Sequence, residues 1–157
     1  MQIREAVTSD LRHIAPMLIH TQQLHVDAYP ERYVPISFED ALLSLEAHID
    51  NEDMFWVAEE NGLVIGYIVA QYLESKGHKI LRDRRYCYLQ QIGVLDSARG
   101  KGSGKKLLER LMKECSRQGI DDIELDVWGF NSSAQEFFQT SGFELYSTKL
   151  RLSDKSN

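Results

Sequence analysis

The sequence predicts a single α/β (α+β) domain over residues 1–157, with a mixed, mostly antiparallel central sheet flanked by helices. Three observations predict this fold class. The chain has 157 residues, 43% of them hydrophobic, which is enough for an independent core. Segments with helical and with strand periodicity follow one another along the whole chain. Neither a linker rich in proline, glycine or serine nor a repeat divides them.

Composition and charge exclude several classes of protein. The net charge of −6 disfavours a nucleic-acid-binding protein, because such binding depends on neutralising phosphates. No segment has the roughly 20 uninterrupted apolar residues of a membrane-spanning helix, and residues 1–5 lack the features of a secretory signal. Cys87 and Cys115 are too few for a disulfide framework, and His13 and His20 have no further ligand at metal spacing. We expect a cytoplasmic protein with no metal, membrane or nucleic-acid partner.

The first third of the chain predicts one strand and two helices. A strand at residues 3–7 precedes a helix at residues 11–26, where apolar side chains recur at helical spacing. Pro16 conflicts with this helix, because proline lacks the amide hydrogen and clashes one turn back, so we expect a kink or a shift. A second helix is predicted at residues 38–49, capped by Ser37.

The middle of the chain predicts three strands. Segments 54–59 and 63–73 are rich in β-branched and aromatic residues, and the Asn-Gly step at Asn61 predicts an antiparallel hairpin between them. Residues 75–85 are polar and basic. We interpret them as a solvated loop, with docking of an acidic partner as the alternative. The nearly continuous apolar run at residues 86–95 is typical of a central strand covered on both faces.

The last third of the chain predicts two helices and two strands. Apolar residues at helical spacing predict a helix at residues 107–119. Alternating acidic and apolar residues predict a strand at residues 120–128. A short helix at residues 132–140 and a final strand at residues 143–152 complete the predicted fold.

A glycine-rich loop before the helix at residues 107–119 predicts a phosphate site. Residues 99–104 read Arg-Gly-Lys-Gly-Ser-Gly, and closely spaced glycine amides before a helix N-terminus bind phosphate. Several cations in and after the loop oppose the helix dipole, which favours an anionic ligand. They are Arg99, Lys101, Lys105 and Lys106. The glycine spacing fits neither the Walker loop nor the dinucleotide fingerprint.

Two sequence motifs together resemble one family. Residues 99–104 read R-G-x-G-x-G, and residues 131–143 read N-x-x-A-x-x-F-F-x-x-x-G-F. Both motifs, their separation and the order of the elements closely resemble the GNAT superfamily of N-acetyltransferases, over essentially the whole chain. The resemblance implies the GNAT acyl-CoA N-acyltransferase fold, acetyl-CoA as co-substrate, and no metal.

The resemblance also implies roles for residues of this chain. Backbone amides of the loop would hold the pyrophosphate of coenzyme A. Main-chain groups of the preceding strand would pair with the pantetheine arm and polarise the thioester carbonyl. Asn131 would contact the cofactor from the far side of the cleft. The implied cofactor-binding residues are Ile92, Gly93, Val94, Arg99, Gly100, Lys101, Gly102, Ser103, Gly104, Asn131 and Phe138.

The motifs do not identify the acid and the base of the reaction. Phe138 stands where many family members have a tyrosine that protonates the leaving thiolate, so solvent or Tyr146 replaces that acid, or catalysis is feeble. We favour solvent, because a thiol with a pKa of about 8.5 is a tolerable leaving group. The predicted central strand has no carboxylate, and Glu74 at the end of the preceding strand is the candidate base.

The acceptor site is predicted in the first loop, where this family builds its acceptor pocket, with His25, Asp27 and Tyr29 as candidate substrate contacts. We expect direct transfer of an acetyl group to a primary amine of a small molecule or peptide in a ternary complex. The acidic surface favours a cationic amine. The alternative is an acyl-CoA-binding regulatory or partner-docking module with little turnover. A homodimer is expected, because symmetric dimers are the commonest oligomers.

Overall fold

The described residues contain one sheet of five strands. The computed structural model describes residues 1–152. The strands are β1 (Gln2–Glu5), β2 (Met54–Glu60), β3 (Leu63–Ser75), β4 (Arg84–Val94) and β5 (Ile123–Glu124), and they lie in this order across the sheet. Neighbouring strands are antiparallel, except that β4 and β5 are parallel. The prediction of a mixed, mostly antiparallel sheet is confirmed.

Four α-helices accompany the sheet in the described part of the chain. They are α1 (Leu11–Ala28), α2 (Phe38–Asp50), α3 (Ser103–Arg117) and α4 (Ser132–Thr140). α1 continues through Pro16, so the proline removes one helical hydrogen bond without ending the helix. α2 begins as predicted, because Ser37 Oγ accepts the backbone N–H of Asp40 at 3.0 Å.

Helices cover both faces of the sheet in the unit Met1–Leu125. Alternate residues of a strand point to opposite faces. Phe55 and Val57 of β2 belong to the core cluster that contains buried side chains of α1 and α2. Trp56, between them, lies against α3, with the guanidinium carbon of Arg110 4.3 Å from its ring centroid. The predicted flanking of the sheet by helices is therefore confirmed.

The β2–β3 hairpin turns at Asn61 and Gly62. Their φ angles are 52° and 78°, which are the left-handed values that a tight two-residue hairpin requires. Asparagine and glycine reach this region at the lowest steric cost. The prediction of a hairpin at the Asn-Gly step is confirmed.

The chain divides into two compact units, Met1–Leu125 and Asp126–Asn157. In the second unit, Asn131 caps α4, because its Oδ1 accepts the backbone N–H of Ala134 at 3.1 Å. Gly142 follows the helix with a φ of 96°, as is common after a helix end. The short helix is therefore confirmed, while the assignment of the whole chain to one domain stays a prediction.

The strand predicted at residues 120–128 is present but much shorter, and the strand predicted at residues 143–152 is absent from the described structure. Of residues 120–128, only Ile123–Glu124 forms a strand, because its ladder with β4 contains just two residue pairs. Residues 143–152 form no strand. Alternating apolar and polar side chains are only one condition for a strand, since its backbone also needs a neighbour to bond with. Within the described residues, no strand pairs with 143–152.

Candidate active site

β4 carries a one-residue bulge in its second half. The pairing with β3 shifts register there and leaves Gln90 as the extra residue. A bulge bends its strand and increases the local twist. β5 pairs with β4 only at Cys87 and Tyr88, before the bulge. In the part of the chain that the structure describes, residues 91–94 therefore have a single strand neighbour, β3, and the other edge of their main chain carries no strand.

Gly93 lies in the tightest contact between β3 and β4. A Cβ on Gly93 would lie 2.6 Å from Cε1 of Tyr67, and Tyr67 is only 1% exposed, so its ring cannot move away. A Cβ on Gly66, the partner residue of Val94, would lie 3.0 Å from the carbonyl oxygen of Gly93. The close packing holds the main chain of this segment rigidly on β3.

The loop after β4 leads into α3 through two glycines with left-handed backbone. Gly100 and Gly102 have φ angles of 73° and 83°, and a Cβ on either would meet nothing within 4 Å. Glycine is therefore favoured at these two positions because of the left-handed backbone, and it leaves the space above the loop open. Close packing against neighbouring atoms is not the reason. Such a loop exposes backbone N–H groups to a ligand without side chains in the way.

The first turn of α3 offers unbonded N–H donors beside this loop. The first helical bond runs from the N–H of Lys106 to the carbonyl of Gly102 at 3.0 Å, so the N–H groups of Ser103, Gly104 and Lys105 precede it. Ser103 is 1% exposed, and its Oγ is buried without a hydrogen-bond partner. Unpaired donors at the positive end of a helix dipole fit an anion such as a pyrophosphate.

Lysine side chains surround the loop. Lys101, Lys105 and Lys106 are exposed and bring three positive charges to the N-terminal end of α3, where no acidic residue compensates them within the first turn. Arg99 is different, because its Nη2 lies 3.0 Å from Oδ1 of Asp96. The lysine side chains are therefore available to an anion at the loop, while the Arg99 guanidinium pairs with the preceding turn.

Comparison with known proteins identifies the family. The family model described as the Acetyltransferase (GNAT) family matches residues 18–143, a range that includes β4, the loop and α3. This chain belongs to the GNAT acetyltransferase family. GNAT proteins use acetyl-CoA as the acetyl donor, and the open glycine loop and unpaired donors at the start of α3 fit its pyrophosphate. No group of three possible metal ligands occurs among residues 1–152.

Named relatives of this GNAT chain are N-acetyltransferases. YhfO of Bacillus subtilis, described as an uncharacterized N-acetyltransferase, is 30% identical over 92% of this chain and 90% of its own length. N-alpha-acetyltransferase 50 of Danio rerio is 28% identical over 73% of this chain and 64% of its own length. A solved structure of a BH1408 tetramutant from Bacillus halodurans has a TM-score of 0.91 at 23% identity, covering 98% and 99% of the two chains. The chain is thus an acetyltransferase with the GNAT fold.

Glu74, the predicted base, lies at the other end of the sheet from the loop. It pairs with Arg85 in the β3–β4 ladder, seven residues before Ile92, which corresponds to about 23 Å along an extended strand. Its carboxylate lies 2.6 Å from Nζ of Lys76, and this contact lowers the pKa of Glu74. Both the distance and the ion pair argue against Glu74 as the base of this GNAT enzyme.

The remaining cofactor and acid candidates lie in the second unit. The amide oxygen of Asn131 accepts the capping hydrogen bond from the N–H of Ala134. The N–H₂ group at the same end of the side chain offers donors to a ligand. Phe138 is 7% exposed and packs against Phe137 and Phe143, with ring centroids 5.1 and 5.4 Å away. Tyr146 is 78% exposed. The structure therefore places Phe138 in an aromatic cluster and Tyr146 at the surface.

The predicted acceptor residues lie together at the end of α1. His25 Nδ1 is 2.8 Å from the carbonyl of Thr21, and its ring lies 5.1 Å from that of Tyr33. Asp27 Oδ1 accepts a hydrogen bond from Gln23 at 2.7 Å. Tyr29 is the C-cap of α1 and donates its backbone N–H to His25. The three residues thus share one end of α1 and the start of the following loop.

Sequence reasoning missed four polar residues that meet beneath β4. Tyr67 donates to Gln91 Oε1 at 3.2 Å, Gln91 Nε2 lies 3.3 Å from His48 Nε2, and His48 Nδ1 lies 2.7 Å from Asp53 Oδ2. These residues come from α2, β3, β4 and the turn after α2. No spacing rule connects them, so no signal in the sequence could have assembled them.

Proposed function

We propose that this enzyme transfers the acetyl group of acetyl-CoA to a primary amine of a small molecule or peptide, by direct attack in a ternary complex. The observation that carries the proposal is that an open strand edge, a glycine loop and a helix N-terminus follow one another directly along the chain. Among residues 1–152, no strand pairs with the outer edge of residues 91–94, and the open glycine loop and the start of α3 follow directly. An extended pantetheine arm fits along such an edge while its pyrophosphate fits the loop.

The chemistry of this transfer requires few side chains. The lone pair of the amine nitrogen attacks the thioester carbonyl carbon, a C–N bond forms and the C–S bond breaks. The carbonyl oxygen becomes negative on the way, and the main-chain N–H groups of Ile92 and Val94, which point away from β3, are the proposed donors to it. A fixed donor of this kind contributes about 2.7–4 kcal/mol to the stability of the transition state. The rigid packing of Gly93 on Tyr67 supports this role.

Three proton transfers accompany the reaction. The ammonium group loses one proton before the attack, the nitrogen loses a second after the C–N bond has formed, and the leaving thiolate gains one. The attacking amine must first lose the proton it carries at neutral pH, and β4 has no carboxylate to take it. We propose that water accepts both protons that leave the nitrogen, since Glu74 is paired with Lys76 and lies far from the loop. The leaving thiolate takes its proton from solvent, because a thiol pKa of about 8.5 makes it an adequate leaving group. Phe138 has no proton to give, which supports the same route.

The acceptor is proposed to be a cationic primary amine. The name of the relative N-alpha-acetyltransferase 50 supports an α-amine, and the net charge of −6 favours encounter with any cation. His25, Asp27 and Tyr29, at the end of α1, are proposed to contact this acceptor. Asp27 is exposed at this position and offers a carboxylate to an ammonium group.

A binding module with little turnover is the second candidate. Phe138 in place of an acid and the absence of a carboxylate on β4 favour it. The segment between β3 and β4 also favours it, because Ile80 and Leu81 are 92% and 59% exposed there and lie among basic residues. One amine that is acetylated efficiently would exclude this candidate.

The test of the proposed function compares two glycine variants by calorimetric titration with acetyl-CoA. Gly102→Glu places a negative charge in the proposed phosphate site, and we expect affinity to fall at least about tenfold. Gly62→Glu is the matched control, since Gly62 has a similar positive φ and open surroundings at the β2–β3 turn. Equal affinities of the two variants would contradict the assignment of the loop. Release of CoA thiol with a panel of amines then identifies the acceptor.

The proposed location of the protein is the cytoplasm, and its proposed assembly is a homodimer. Cys87 and Cys115 are both free and buried, as expected for a reducing compartment, which supports the cytoplasm as the site of the reaction. No helix among the described residues is long and apolar enough to cross a membrane. A homodimer is proposed because closed symmetric pairs are the commonest assembly, and light scattering on the purified protein measures it.

A further inference from the structure

A chain of four hydrogen-bonded side chains runs from the end of α2 to β4. We call His48, Asp53, Gln91 and Tyr67 the polar network. The side chains of His48 and Asp53 are 14% and 10% exposed, whereas Tyr67 is 1% exposed, and its burial raises the pKa of its hydroxyl. The polar network thus leads from near the surface into the core, where the last hydroxyl stays protonated and donates a hydrogen bond.

A single proton arrangement with neutral His48 satisfies every contact of the polar network. The carboxylate of Asp53 only accepts, so His48 Nδ1 carries the hydrogen. His48 Nε2 then accepts from the amide N–H of Gln91. The amide oxygen of Gln91 is left to accept from the hydroxyl of Tyr67. With His48 neutral, each contact sets the direction of the next, and the Gln91 side chain has a single orientation that satisfies them all.

The polar network holds the residues on both sides of Ile92. Gln91 precedes Ile92 and directly follows the extra residue of the bulge, Gln90. The ring of Tyr67 occupies the space where a Cβ of Gly93 would lie. The main chain at Ile92 has no strand on its outer edge in the described structure, so these side chains and β3 are what fix its position.

The surroundings of the polar network are apolar. The ring of Phe55 lies 6.3 Å from the ring of His48 and 6.2 Å from the ring of Tyr67, and Phe55, Tyr67 and Val69 belong to the same core cluster. Buried polar groups add little net stability compared with apolar side chains of similar shape. Buried polar groups instead fix side-chain orientation, because a hydrogen-bonded network permits one arrangement where an apolar core permits several.

We propose that the polar network positions the main chain of Ile92 and Gly93 against the thioester of acetyl-CoA. The inference rests on the proposed function, which places the thioester at residues 92–94. His48, Asp53, Gln91 and Tyr67 are positioning residues that act through β4. A misplacement of about 1 Å near reacting atoms costs about 10²-fold in rate, whereas cofactor affinity comes mainly from the glycine loop. The polar network therefore sets the rate of transfer more than the affinity for the cofactor.

The kinetic test uses Gln91→Leu, which removes two links, and Tyr67→Phe, which removes only the terminal hydroxyl. We expect kcat to fall at least about tenfold while the KM for acetyl-CoA changes less than about twofold. Leu45→Ala is the control, because Leu45 is fully buried in the same core cluster without any hydrogen-bonding group. If Gln91→Leu does not fold, Tyr67→Phe keeps the ring and carries the test.

A second readout does not require an acceptor. In amide NMR spectra, the shifts of Ile92 and Gly93 should differ between the CoA-bound and acetyl-CoA-bound wild type, and this difference should shrink in both network variants but not in Leu45→Ala. Network variants that match Leu45→Ala in kcat and in these shifts would overturn the positioning role. A wild type that shows the shift difference yet acetylates no amine would overturn the proposed enzymatic function and leave the positioning role supported.

Discussion

Burial determines the reactivity of the two cysteine thiols. Cys87 is 0% exposed and Cys115 is 1% exposed, and burial raises the pKa of both. Since only the thiolate reacts readily, we expect neither cysteine to react with a thiol-disulfide reagent at neutral pH until the protein unfolds. Labelling followed by mass spectrometry, with and without denaturant, measures this. Fast labelling of either cysteine in the native protein would mean that the thiol is accessible. It would then favour a mechanism with a covalent enzyme intermediate over direct transfer.

Two tyrosines with buried hydroxyl groups should respond oppositely to the loss of that hydroxyl. The hydroxyl of Tyr72 is buried without a partner, and burial raises its pKa to about 12. We expect Tyr72→Phe to leave the free energy of unfolding unchanged or to raise it by about 1 kcal/mol, because an unpaired buried hydroxyl is costly.

Tyr67→Phe is the matched comparison for Tyr72→Phe, because the Tyr67 hydroxyl donates to Gln91. Its loss leaves the amide oxygen of Gln91 unpaired, so we expect a decrease of about 1–3 kcal/mol. Urea denaturation of both variants measures the difference. A decrease of the same size in Tyr72→Phe would show that its hydroxyl has a partner in solution.

At the scale of the element, α3 depends on one buried carboxylate. Glu114 accepts hydrogen bonds from Arg117, Gln118 and Arg110, and the pKa of Glu114 falls from 4.5 to about 2, with Arg117 as the largest cause. Because the folded pKa is the lower one, the ionised side chain adds stability above pH 4.5 and loses this contribution as the pH falls toward 2.

Glu114→Gln tests this pH dependence. We expect its Tm to lie below that of the wild type at neutral pH and the two to converge as the pH drops below 4.5. Glu109→Gln, at an exposed position of the same helix, is the control and should leave Tm nearly unchanged. A Tm difference that stays constant from neutral to acid pH would assign the role of Glu114 to packing.

Local signals explain which elements were predictable. The β2–β3 hairpin follows from Asn61 and Gly62, and the start of α2 follows from Ser37, because each signal acts within a few residues. Pairing is not local. Strands are predicted at residues 120–128, from alternation, and at residues 143–152. A strand exists only where another backbone reaches it, and the sequence of the segment does not contain that information.

The candidate site also contains some residues that local sequence signals predict and others that only the fold brings together. The glycine loop at residues 99–104 was predictable, because contiguous residues carry both its backbone conformation and its charge. Glu74 was a natural candidate by position in the chain, but the register of β3 on β4 carries it to the far end of the sheet. His48 and Gln91 could not be connected from the sequence, because only the fold brings α2 beneath β4.

At the scale of the whole molecule, the net charge of −6 should affect acceptor binding. If the acceptor is cationic, long-range attraction speeds its encounter with the enzyme, and salt screens this attraction over about 8–10 Å at physiological strength. We therefore expect kcat/KM for a diamine to fall as salt rises, while an amine that is uncharged at neutral pH shows little change. Steady-state kinetics at several salt concentrations measure both, and equal slopes would contradict steering by the surface charge.

The contact between Gly93 and Tyr67 constrains how this sequence can evolve. Any side chain at position 93 would overlap the ring, since its Cβ would lie 2.6 Å from Cε1. A substitution at 93 alone is therefore selected against, but it becomes acceptable after Tyr67 has been replaced by a smaller residue. The two positions should change together and in that order across descendants of this gene, because only a smaller residue at 67 leaves room for a side chain at 93.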